Sequence, residues 1–132
     1  MTRSGYSDDI DGWDLIRWRG AVASAIRGKR GQAFFKEMLA ALDKMESKRL
    51  IAEDLVKDGE VCALGAVGAA RGVDMSKIDP QDHETVADTF GIPHALACEI
   101  MWINDDWRHE PPEARYIRVR VWLESTIKVP QP

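Results

Sequence analysis

Gln32-Ala33-Phe34-Phe35-Lys36-Glu37-Met38-Leu39-Ala40-Ala41-Leu42-Asp43-Lys44-Met45 decides how the rest of the chain reads. Phe34, Phe35, Met38, Leu39 and Leu42 recur at three- to four-residue spacing, so a helix over 32–45 would carry one apolar stripe and a charged opposite face. Such a helix needs partners to cover the stripe, and the flanking segments supply them. Upstream, Asp11 or Gly12 can cap a helix over 13–27 with Leu15, Trp18, Val22 and Ile26 on its apolar side. Gly28 closes it, and Lys29-Arg30-Gly31 reads as a basic link.

Downstream, Leu50 and Ile51 suggest a short extended segment, and 53–57 could form one helical turn before Asp58-Gly59. The small and apolar run over 61–70, with Gly65, Gly68 and Gly72 spaced by three and four, predicts a helix packed closely on neighbours, either within one chain or across a homodimer. Asp79-Pro80 has the form of an N-cap followed by proline at the first helical position, predicting a helix that runs to Phe90 and stops at Gly91. A fifth segment over 93–104 buries Leu96, Ile100 and Ile103. The last, over 112–128, buries Tyr116, Val119, Trp122 or Leu123, and Ile127, with Arg115, Arg118, Arg120 and Lys128 snorkelling at its margins. The expected fold is mainly α: a bundle of about five helices with a minor extended segment, made of a polar leader over 1–12, one helical domain over 13–128 and a short tail over 129–132.

Composition narrows the function classes. A chain of 132 residues with 45% hydrophobic and 30% charged residues can bury a normal core. No stretch approaches the roughly 20 apolar residues a membrane span requires. The opening residues lack an apolar signal core, so the expected compartment is the cytoplasm, with Cys62 and Cys98 reduced. A net charge of −4 provides no global pull toward nucleic acid or anionic lipid.

Several patterns could carry chemistry. The segment from Ala87 to Ala97, with Gly91 at its turn and Ile92 after it, resembles a helix-turn-helix. Its second helix would offer His94, Cys98, Glu99 and Trp102, and the absence of lysine and arginine there argues against phosphate binding. Positive charge gathers instead at Arg17, Arg19, Arg27, Lys29 and Arg30, interleaved with Trp13 and Trp18, as a nucleic-acid-binding regulator could use it; acidic neighbours and solvated helix ends explain the cluster as well. Cys62, Cys98, His83, His94 and His109 include zinc-ligand types, but only His94 and Cys98 lie one turn apart, and one such pair is incomplete, so no metal or other cofactor is expected. Nothing orders a cysteine against a histidine base, and the glycines lack the Gly-Lys-Ser/Thr of a phosphate loop, so no enzyme is expected. The aromatic and acidic loop is the remaining lead. Trp102, Asp105, Asp106 and Trp107 place two of the chain's five tryptophans beside charge, the composition of a protein-binding hot spot.

Three segments also resemble known proteins: Leu15-Ile16-Arg17-Trp18-Arg19-Gly20-Ala21-Val22, Arg27-Gly28-Lys29-Arg30-Gly31-Gln32, and Asp58-Gly59-Glu60-Val61-Cys62-Ala63-Leu64-Gly65-Ala66. With looser agreement at Asn104-Asp105 and Glu113-Ala114-Arg115, the chain is similar to a family of small proteins encoded by bacteriophages and prophages, for which no activity is established. The resemblance implies a host cytoplasm and an accessory protein that binds a host or phage protein. Inhibitors of host defence, of the anti-CRISPR kind, are one such class. It carries over no catalytic residue.

Overall fold

The computed structural model describes residue 3 and residues 12–107 and 109–127. The leader over 1–12 and the tail over 129–132 otherwise lie outside the described residues, as does Lys128. Six α-helices, a 3-10 turn at Met75–Lys77 and one two-stranded hairpin make up the described fold, so the chain is mainly α with a minor extended segment. Among the described residues, no helix is long and apolar enough to cross a membrane.

The helix containing the deciding stretch, α2 (Lys29–Lys44), buries Phe34, Phe35, Met38, Ala41 and Leu42. It starts three residues earlier than expected. Lys29-Arg30-Gly31 forms its first turn rather than a link, and Gly28 alone joins it to α1 (Gly12–Arg27). Gly31 must be glycine at this elbow because a Cβ there would lie 1.9 Å from the Ala25 carbonyl oxygen. The expected apolar face of α1 is only partly bedded: Val22 is buried, Trp18 and Ile26 are half-buried, and Leu15 is exposed.

The extended element sits later than Leu50-Ile51. Strands β1 (Val56–Lys57) and β2 (Glu60–Val61) pair antiparallel, Val56 opposite Val61 and Lys57 opposite Glu60. Asp58 and Gly59 both take positive φ, 53° and 79°, the backbone that a two-residue hairpin turn needs. The helical turn envisaged over 53–57 is absent, and Glu53 itself has φ 72°. Leu50 and Leu55 are buried.

Helix α3 (Ala63–Arg71) is the small-residue helix, and the neighbours of its glycines belong to the same chain. A Cβ on Gly65 would lie 2.0 Å from the Leu55 carbonyl oxygen, and one on Gly68 2.3 Å from Met75 Sδ. Cys62 caps α3, its sulfur accepting the Gly65 N–H at 3.3 Å. Helix α4 (His83–Phe90) begins later than Asp79-Pro80 suggests. Asp79 instead closes a turn onto Gln81 N, and Asp82 becomes the cap, accepting Thr85 N–H at 3.2 Å and Thr85 Oγ1–H at 2.8 Å. Gly91, at φ 68°, ends α4 in the left-handed region.

Helices α5 (His94–Asp105) and α6 (Pro112–Thr126) complete the fold. Two helices serve as hubs: α2 packs on α1, α3 and α6, and α5 packs on α1, α3, α4 and α6. The core between them joins Phe34, Phe35, Met38 and Leu42 to Leu64, Val67, Leu96, Ile100, Met101, Val119 and Leu123. Arg115 does not snorkel: it is buried and donates to the Asn104 and Trp107 carbonyls at 2.8 and 2.9 Å.

Candidate functional site

Helix α5 presents different chemistry at its two ends. At its C-terminal end lie the four residues singled out for partner binding. Trp102 is 41% exposed on the last turns of α5, and Trp107 is 69% exposed at φ 62°, just beyond the helix. Asp106 is exposed, and one of its carboxylate oxygens accepts the Trp107 N–H at 3.1 Å. Asp105 is differently placed. It is half-buried and clasped by the buried Arg3 guanidinium, Nε to Oδ2 at 2.6 Å and an Nη to Oδ1 at 2.7 Å. It also accepts the Glu53 N–H and an Asn104 amide N–H, both at 3.0 Å. Burial alone would push the Asp105 carboxyl up, but the hydrogen bonds and charge of Arg3, with those two further donors, hold it below the usual carboxylate range.

The loop carrying Trp107 is firmly mounted. Arg115 holds the Trp107 carbonyl, while Arg118 donates to the Ile103 and Asp106 carbonyls at 2.7 and 3.1 Å and to the Glu110 carboxylate at 2.9 Å. Asn104, buried inside this network, accepts the Ala63 N–H at 3.0 Å and donates to the Ile51 carbonyl at 2.9 Å.

The basic residues lie elsewhere. Arg17, Arg19, Arg27, Lys29 and Arg30 are all exposed along α1 and the first turn of α2, with Arg17 3.3 Å from Asp14. The helix-turn-helix-like corner has its expected turn, Ile92 N–H donating to the Ala87 carbonyl at 3.1 Å with Ala87 buried. Its second helix, however, is the central hub α5. Along His94–Asp105 only Trp102 is exposed, while His94, Ala95, Glu99, Ile103 and Asp105 are half-buried.

The N-terminal end of α5 holds the cluster that sequence reading left incomplete. His94 opens α5, Cys98 follows one turn later, and His83 opens α4. One ligand atom from each, a ring nitrogen of either histidine and the Cys98 sulfur, lie within 4.8 Å of one another. The two imidazoles stack with centroids 4.3 Å apart and planes at 27°, His94 Nε2 facing His83 Nδ1. Trp18 of α1 meets the His94 ring edge-on at 5.9 Å. Burial, and then His83, depress His94 below the ordinary imidazole value, against the opposing pull of Glu84; burial pushes the Cys98 thiol up to about 12. The four-residue spacing of His94 and Cys98 was the readable part of this cluster. His83 joins it only through the α4–α5 corner.

Compared with known proteins, the chain matches no family model, no curated protein and no solved structure.

Proposed function

We propose that the chain is a protein-binding accessory module of bacteriophage or prophage origin, acting on a host or phage protein, with inhibition of host defence as its class of action. The observation that carries this reading is the firm presentation of Trp107. Its indole faces solvent, while its carbonyl is held by a buried arginine and the loop around it by a second. An aromatic side chain on a pre-ordered backbone loses little entropy on binding and brings a large apolar area, which is what an interface anchor needs. Trp102 and the exposed Asp106 flank it, adding apolar surface and charge. The resemblance at Cys62-Ala63-Leu64-Gly65 and its neighbours supports the phage origin.

Immobilised protein incubated with bacterial host lysate tests the reading, with a Trp102→Ala/Trp107→Ala variant in parallel. The expected result is one stoichiometric protein that survives nuclease and is lost with the variant. Equal capture by both proteins, or none by either, overturns the proposal. The exposed Arg19, Arg27, Lys29 and Arg30 favour a second reading, nucleic-acid binding. Nucleic acid recovered only at low salt would point to it, since phosphate contacts release counterions.

A further inference from the structure

We propose that His83, His94 and Cys98 form a binding site for one zinc-class divalent cation that fastens α4 to α5. Two imidazole nitrogens and the Cys98 sulfur, which an ion would bind as thiolate with release of the thiol proton to solvent, are a donor set suited to zinc and its neighbours and unsuited to calcium or magnesium, which take oxygen ligands. A tetrahedral ion with bonds of about 2.0–2.3 Å places its donor atoms about 3.3–3.6 Å apart. The three atoms lie within 4.8 Å of one another, with the two ring nitrogens in direct contact, so the imidazoles would turn apart to admit an ion while Cys98 stays within reach. The backbone supplies the convergence: His94 and Cys98 share one face of α5, and the Gly91 turn brings the first turn of α4 beside it.

The site is half open. Cys98 is buried, whereas both histidines are half-buried, so an ion can enter from the histidine side and keep water as its fourth ligand. Glu84, next to His83, acts on His94 as a negative charge and adds to the attraction for a cation. The ion would hold an element that needs holding, because α4 has only eight residues and packs chiefly on α5. Trp18, set against His94, places an indole in contact with one of the ligands.

Cobalt(II) titrated into the chelator-treated full chain tests the proposal, because cobalt reports its ligands by colour. The expected result is saturation at one equivalent, visible bands of tetrahedral cobalt and a thiolate-to-cobalt charge-transfer band in the near ultraviolet, all displaced by zinc. Zinc should also raise the thermal midpoint. Cys98→Ala should abolish the charge-transfer band. His83→Gln, at a half-buried position, should weaken binding at least about tenfold, the lower end of what losing even an outer-shell partner costs. The site is refuted by the absence of saturable binding, by full-affinity binding in His83→Gln, or by a cobalt spectrum lacking the thiolate band. The first outcome would leave the histidine pair sharing only a proton, and the last two would place the ion elsewhere.

Discussion

The same substitution at two helical glycines should shift stability in opposite directions. Replacing an interior helical glycine by alanine gains about 1 kcal/mol where nothing obstructs the new methyl group. Gly20 on α1 is such a place, exposed and with nothing within 4 Å of its would-be Cβ. At Gly65 the Cβ would lie 2.0 Å from the Leu55 carbonyl oxygen and 3.0 Å from Val61 Cβ. That carbonyl is backbone and already accepts the Cys62 N–H at 3.2 Å, so it cannot move aside without disturbing the cap of α3. Overpacking of this kind costs about 3 kcal/mol, the top of its usual range, which leaves a net loss of about 2 kcal/mol after the propensity gain. For a domain of this size 1 kcal/mol corresponds to about 4 °C in thermal midpoint. Gly65→Ala should therefore melt about 8 °C lower and Gly20→Ala about 4 °C higher, as followed by circular dichroism. A Gly65→Ala protein as stable as the parent would refute the close approach of α3 to the segment before β1.

Two further expectations concern the polar network at the C-terminal end of α5. Because the folded Asp105 carboxyl titrates below its unfolded value, its contribution to stability is fully present above about pH 4 and disappears as pH falls through the folded value. Asp105→Asn should cost about 3 kcal/mol at pH 7, since it leaves the Arg3 guanidinium buried without its counter-charge, and should flatten the acid limb of denaturant midpoint against pH; an unchanged limb would show that another carboxylate sets it. Arg115→Lys should cost about 2 kcal/mol in urea unfolding despite keeping the charge, because one ammonium cannot reproduce the fork that reaches both the Asn104 and Trp107 carbonyls; a loss below about 0.5 kcal/mol would count against that geometry.

Much of the fold was legible because apolar periodicity is a local signal. Of the stripe Phe34, Phe35, Met38, Leu39 and Leu42, all but the half-buried Leu39 are buried, as are Leu96 and Ile100 on α5, where Ile103 is half-buried, and Tyr116, Val119 and Leu123 on α6. Errors fell where two local signals competed. Asp79-Pro80 and Asp82 both offer a helix start, and the second prevails because Asp79 spends its carboxylate on a turn onto Gln81 N–H. Leu50 and Ile51 look extended, yet the Asp58-Gly59 turn fixes the strand pair at the residues flanking it. Leu15 fits the stripe of α1 but is exposed, because periodicity shows which face is apolar and not how far a neighbouring element reaches along it.

The candidate sites were less legible, since they depend on which residues α5 gathers from distant segments. Asp105 and Asp106 are neighbours of one type, and the sequence offers no means of separating them. In the fold the first is drawn inward by a guanidinium 102 positions away and the second remains at the surface beside Trp107. The polar atoms at that end have structural partners in abundance: Asn104 alone ties the first residue of α3, Ala63, to the Ile51 carbonyl and to Asp105. Its polarity is thus accounted for by holding the tryptophan-bearing loop in place. At the other end, the chemistry of His83, His94 and Cys98 exceeds what the corner requires. The turn itself is closed by Gly91 and by the Ile92 to Ala87 hydrogen bond, and its core contact is made by Phe90 against Phe34. The proposed ion would add to that corner a fastening that hydrogen bonds and ring contacts alone do not supply.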